Sequence, residues 1–216
     1  MNNITYLYGL PIYIEKISPE TYEKNKIISQ IEKNYKISHV RNNWSKNSFI
    51  KTDIHHSLED EENKNFNKIN YYNLLEKYEK IILNFLKKLY LKNNLNFKYS
   101  IVNYTCSKHN SFMVPHIHSN CDFSLIHYIG FDEKQHIPTI FKNPFYFCNL
   151  LPNREKMIDI FDEKIQENSW IHKEWTFKTE EDDVVIFPAI LEHYVRNLDS
   201  EKLRITISVN VEIEKI

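Results

Sequence analysis

His116 and His118 stand one residue apart in Pro115-His116-Ile117-His118, and His193 and Arg204 follow far downstream. On an extended chain side-chain direction repeats every two residues, so the first pair shares one side. A third imidazole from a distant strand, His193, would complete one face of a metal ion. Arg204, opening the last strand, would give an acidic co-substrate a docking point. The chemistry outlined is oxygen activation at a metal held in a β-barrel. His-x-His alone is less specific, because zinc and copper sites use it too. His39, His55, His56, His109 and His136 read as ordinary packed or surface residues, and His172, in a polar stretch, as exposed. His127 alternates with Tyr128 on one strand, so one of the two faces inward.

The elements that must position these residues change texture at about residue 96. Before it, residues 5–16 around Gly9-Leu10-Pro11 read as a short strand. Ser18-Pro19-Glu20 has the form of a helix start, with a capping hydroxyl, proline at the first helical position and an acid in the first turn. An amphipathic helix carrying Ile27, Ile28 and Ile31 then runs to about Tyr35. Residues 38–70 are polar and irregular, with Trp44 and Phe49 expected to pack and Asp60, Glu61 and Glu62 to face solvent. The strongest periodicity spans 71–91, where Leu74, Leu75, Tyr78, Ile81, Ile82, Phe85, Leu86 and Leu89 recur at threes and fours. Such a helix lies against a sheet.

After residue 96, β-branched and aromatic residues crowd into 98–106, 111–118, 123–129 and 138–141, and again into 175–178, 184–187, 193–195 and 203–213. These are strands. A polar insert at 149–169 interrupts them. Pro188 is placed to end its strand. Helices first and about eight strands afterwards predict an α+β protein, a helical layer backing an antiparallel sandwich or barrel. No repeat or linker divides the chain. We expect one domain over 1–216, with helical and irregular support in 1–95 and the β core in 96–216.

Bulk composition narrows the partners. A formal net charge of −1 gives no general attraction to nucleic acid or to an anionic membrane. No apolar run approaches the roughly 18–20 residues that span a bilayer. The first residues lack a basic-then-apolar signal layout. Three cysteines, Cys106, Cys121 and Cys148, without CxxC spacing fit a reducing cytoplasm rather than a disulfide framework. Oligomeric state is open; an exposed N-terminal strand offers a route to a homodimer.

The ordered series resembles a known family. It runs from His116-Ile117-His118 through Ile126-His127-Tyr128-Ile129 and Asp182-Asp183-Val184-Val185-Ile186-Phe187-Pro188 to His193-Tyr194-Val195 and Arg204 to Asn210. This is similar to the iron(II)- and 2-oxoglutarate-dependent oxygenases, in the prolyl-hydroxylase-like branch common in bacteria and their phages. Leu7 to Tyr13 and Asn43-Trp44-Ser45 look like that branch's early segments. The resemblance implies a double-stranded β-helix, a distorted jelly roll with the metal at its open mouth. It implies iron(II) on His116, His118 and His193, with three positions left for 2-oxoglutarate and oxygen. Arg204 would clamp the distal carboxylate, Tyr128 would donate to it, and Ser208 or Thr206 would assist. The implied reaction hydroxylates a substrate and releases succinate and carbon dioxide, with ascorbate helpful in vitro. A prolyl or other amino-acid or peptide side chain, a free amino acid, a nucleobase and a small metabolite are the substrate classes to weigh. Asp183 falls where the family has the Asp of Gly-Asp, and Asp182 replaces the turn glycine.

The departure is His118, where the superfamily mostly has a carboxylate. Three neutral imidazoles would leave an iron(II) centre at +2 rather than +1, which favours a doubly negative co-substrate. Asn120 and Asp122 are the alternatives, either as an oxygen ligand or as the group that orients His118. Phe112, Phe141, Tyr146 and Trp175 are candidates for a pocket wall, and each also reads as core. Two other readings stay open. One is a three-histidine zinc hydrolase on a β-scaffold, which leaves Arg204 and Tyr128 without a task. The other is a non-catalytic cupin-like module that keeps the fold without the chemistry.

Overall fold

The apolar periodicities resolve, in a computed structural model describing residues 4–37, 55–57, 66–89, 95–109, 111–144 and 172–215, into two helices and two antiparallel sheets. The N-terminal segment is a hairpin rather than one strand: β1 (Ile4–Leu7) pairs with β2 (Leu10–Lys16). Its two-residue turn needs positive φ at both positions, which Tyr8 (55°) and Gly9 (80°) adopt. Helix α1 (Lys24–Ile37) begins later than Ser18-Pro19-Glu20 suggests. Those residues enter a 3-10 turn over Pro19–Thr21, and the Ser18 hydroxyl bonds the Glu20 side chain instead of capping backbone. Helix α2 (Tyr72–Lys88) matches its periodicity, burying Leu74, Tyr78, Ile81, Ile82, Phe85 and Leu86.

The remaining strands are β3 (His55–His56), β4 (Leu95–Ser107), β5 (Met113–His116), β6 (Phe123–Gly130), β7 (Ile140–Lys142), β8 (Glu174–Trp175), β9 (Asp183–Pro188), β10 (His193–Val195) and β11 (Arg204–Lys215). Seven form one sheet in the order β1-β2-β9-β6-β11-β4-β3, and four form a second in the order β5-β10-β7-β8. The insert at 149–169, Trp44, Phe49, Tyr146 and His39 lie outside the described residues. No helix among the described residues is long and apolar enough to cross a membrane.

Alternation divides the large sheet into two faces. Leu125, Ile129, Val184, Ile186, Ile205, Ile207, Val209 and Val211 pack with both helices in one core. Ile126, Tyr128, Val185 and Phe187 join Leu7, Tyr8, Ile12, Phe131, Phe141 and Leu191 in a second core. The polar residues of β11 alternate with its apolar ones, so Arg204, Thr206 and Ser208 are turned away from the helices into a cavity. Gly130 sits where β6 meets β11: a Cβ there would come within 3.2 Å of the Ile205 Cβ.

The turn before β9 is a second fixed point. Asp182 has φ 68°, a left-handed conformation that glycine or Asp tolerates. Its carboxylate accepts from the Tyr22 hydroxyl at 2.5 Å and from Lys24 Nζ at 2.6 Å. The Asp183 carboxylate accepts from the Glu180 N–H at 2.7 Å, which closes the same turn. His127 faces this side, fully buried, with Nδ1 2.9 Å from the Tyr78 hydroxyl of α2. It therefore tethers sheet to helix, and Tyr128 is the member of the pair that faces the other core.

Candidate metal centre

His116 and His193 are cross-strand partners where β5 pairs with β10. His118 lies just beyond β5, its N–H donating to the Ala189 carbonyl at 2.9 Å. The three imidazoles converge, with one nitrogen from each lying within 4.8 Å of the others. Ring centroids are 4.3 Å apart for His116 and His193, 5.4 Å for His116 and His118, and 5.3 Å for His118 and His193.

Hydrogen bonding selects the nitrogen each ring presents. His116 Nδ1 donates to the Val114 carbonyl at 2.9 Å, and His193 Nδ1 donates to the Leu191 carbonyl at 2.9 Å. A carbonyl only accepts, so the proton is on Nδ1 and the lone pair is on Nε2. Burial pushes the His193 pKa down to about 3 and lowers that of His116, with mutual repulsion among the three rings adding to the effect. Both rings are neutral at physiological pH, the form that ligates metal.

Beneath the triad is a cavity of about 40 Å³. Its wall combines His116, His118 and His193 with Met113 and Val195 of the small sheet. From the large sheet come Asn103, Thr105, Arg204, Thr206 and Ser208. No carboxylate among the described residues lines it. Arg204 is 2% exposed, and its Nε has no hydrogen-bond partner among the described residues. Its guanidinium carbon lies 5.4 Å from the centre of the Tyr128 ring and 6.0 Å from that of Phe131. Burial lowers its pKa, the Tyr128 hydroxyl works in the opposite direction, and no carboxylate among the described residues offsets the burial. A buried, unsatisfied donor on a charged group costs more than about 1–3 kcal/mol, a cost that an anion bound there would offset. Asn103 Oδ1, also buried, has no partner among the described residues either.

Tyr128 supports Arg204 from below. Its hydroxyl donates to Thr139 Oγ1 at 2.8 Å and accepts from the Thr139 N–H at 3.2 Å, and Thr139 in turn lines the cavity. Asp122 is engaged elsewhere: its carboxylate accepts from the Ile213 N–H at 2.7 Å. Among the described residues the ligand cluster contains imidazoles alone. Phe112, Phe141 and Trp175 do not line the cavity; Phe141 packs in the core against Phe187, with centroids 5.0 Å apart. His172 is half-buried against Trp175 rather than exposed. His136 is buried, held by the Asp132 N–H at 2.9 Å and near the Lys202 carbonyl at 3.1 Å. A wider groove of about 820 Å³ runs past Asp132, His136 and Lys202, and contains neither the triad nor Arg204.

Residues not singled out from the sequence also shape the site. Asn210 continues the Arg204-Thr206-Ser208 alternation, so its place was readable. Asn103 and Thr105 come from β4 and Thr139 from the segment just before β7, and nothing local marks them.

Three imidazoles and a buried guanidinium line one cavity in a protein of two antiparallel sheets, a set of groups able to hold a metal ion beside an anion. A sequence model of the family "Putative 2OG-Fe(II) oxygenase" matches residues 103–210, half of the chain. The chain belongs to that family of 2-oxoglutarate-Fe(II) oxygenases and is an oxidoreductase. No curated protein matches its sequence. Its fold is similar to that of a prolyl hydroxylase from Trichoplax adhaerens, solved with a hypoxia inducible factor peptide fragment (TM-score 0.53, 11% identity, 93% of this chain and 83% of that one). A Pseudomonas putida prolyl-4-hydroxylase is similar too (TM-score 0.53, 9% identity, 93% and 92%). So is AviO1 from Streptomyces viridochromogenes Tue57 (TM-score 0.53, 12% identity, 93% and 89%).

Proposed function

We propose that this chain is an iron(II)- and 2-oxoglutarate-dependent dioxygenase that hydroxylates a peptide or small-molecule substrate and releases succinate and carbon dioxide. His116, His118 and His193 hold the iron through Nε2, at the mouth of a double-stranded β-helix formed by the two facing sheets. Iron bound there supplies oxygen activation. Arg204 takes the distal carboxylate of 2-oxoglutarate as a two-pronged donor. Ser208 and Thr206, on the same face of β11, add hydroxyl donors. Tyr128 stacks under the guanidinium and reaches the co-substrate by turning its hydroxyl from Thr139.

One observation carries this reading. A buried guanidinium with no acid partner among the described residues lines the same small cavity as three converging imidazoles. The residues fit the metal, because His116 and His193 are fixed as Nδ1–H tautomers with Nε2 available. The all-imidazole ligand set retains the full charge of the ion, and with Arg204 this favours a dianion. A peptide substrate, a prolyl side chain included, is supported by the prolyl hydroxylases among the similar folds. A three-histidine zinc hydrolase is the second reading, favoured by the missing carboxylate. It gives Arg204 nothing to bind.

Purified protein supplied with iron(II), ascorbate and 2-oxoglutarate under air is expected to form succinate, and under argon to form none. His193→Ala should abolish turnover. Wild-type succinate formation by that variant removes the ligand assignment, and oxygen-independent activity with zinc establishes the hydrolase.

A further inference from the structure

Two of the three imidazoles are oriented by their own backbone, each donating to the carbonyl two residues earlier. His118 is not. Its Nδ1 faces Asn210 Oδ1 at 3.2 Å and Ser124 Oγ at 3.4 Å. Asn210 and Ser124 are direct cross-strand partners where β11 pairs with β6. Both are buried, at 8% and 0% exposure. The ring is therefore held by the large sheet, whereas its two companions belong to the small one.

The two acceptors differ in what they impose. A hydroxyl donates or accepts, so Ser124 suits either tautomer of His118. An amide oxygen only accepts, and it requires the proton on Nδ1. With that proton fixed, the lone pair is on Nε2, the nitrogen the other two rings also present. We propose that Asn210 is a positioning residue that sets the tautomer and ring angle of His118 and so completes the three-nitrogen face. This rests on the metal-site reading above. The role falls to a neutral amide rather than the carboxylate that often backs a metal-bound imidazole. An amide orients the ring without adding negative charge, so the pull of the cavity on a dicarboxylate is preserved.

The test separates orientation from packing and also from the metal reading. Nitrogen NMR of the imidazoles in the metal-free protein reports the tautomer directly. Cobalt(II) titration, followed by calorimetry and visible absorption, reports affinity and ligand geometry. Wild-type His118 is expected as the Nδ1–H tautomer. Asn210→Leu should give a tautomer mixture, an altered cobalt spectrum and an affinity about 10–100-fold weaker. Asn210→Asp restores an acceptor and should restore the tautomer and tight binding. Ser124→Ala should leave the tautomer and affinity close to wild type, and it decides the matter should the leucine variant fail to fold.

Asn210→Leu with the wild-type tautomer and affinity overturns the proposal. So does an Asn210→Asp variant as weak as the leucine one, or a Ser124→Ala variant that alone scrambles the tautomer. Wild-type protein that takes up no cobalt sinks the metal reading instead, while the metal-free tautomer still reports on Asn210.

Discussion

At the scale of single residues, Arg204 has the most to lose. Its environment replaces water with the faces of Tyr128 and Phe131 and supplies no counter-charge among the described residues. A lysine there would keep the charge and lose the planar fork that matches a carboxylate. Arg204→Lys is expected to raise KM for 2-oxoglutarate by about tenfold or more, from the roughly 1.5–3 kcal/mol carried by a charge-assisted hydrogen bond. Steady-state succinate assays at varied co-substrate would measure it, and an unchanged KM would place the acid elsewhere. The buried histidines set a pH response. His116, His127, His136 and His193 all have pKa values lowered by burial. Below the ordinary imidazole value of about 6.5, the unfolded chain binds protons that the folded chain refuses. Stability is therefore complete above that value and falls as pH drops through it toward the depressed folded values. Thermal melts of metal-free protein should show a falling Tm between pH 7 and pH 5, and a flat profile would contradict the neutral burial of these rings.

At the scale of elements, α2 is the strut beneath the sheet. Phe85 meets Tyr13 and Phe123 at ring-centroid distances of 5.7 and 4.9 Å, and Ile82 is fully buried beside them. Ile82→Ala should cost about 2–5 kcal/mol by loss of apolar contact and the cavity left behind. Urea unfolding would show it as a lower midpoint at unchanged slope. This helix was legible because seventeen residues repeat one period, and the strands after residue 96 because they are dense in β-branched and aromatic side chains. The His-x-His pair was legible because alternation is local. The hairpin at Tyr8-Gly9 was not, since a tyrosine occupies a left-handed position where Asn or Gly is the usual signal. The start of α1 was misplaced because a 3-10 turn precedes a helix carrying no capping signal of its own. The cavity's far wall was hidden for a different reason. Asn103 and Thr105 oppose Ser208 and Thr206 across β4 and β11, a pairing between segments about a hundred residues apart that no local pattern encodes.

At the scale of the whole molecule, the three imidazoles do not share one scaffold. His116 and His193 are neighbours within the small sheet, and His118 leans on β6 and β11 of the large one. A cation gripped by all three would act as a rivet through the two plates, reinforcing the side-chain packing and the His118–Ala189 backbone bond between them. Chelation should then loosen the seam between them and leave each plate intact. Hydrogen–deuterium exchange should speed up in β5 and β10 on metal removal, with the β4 and β11 amides unmoved. Uniform acceleration across both would mean that the plates part company only when the molecule unfolds.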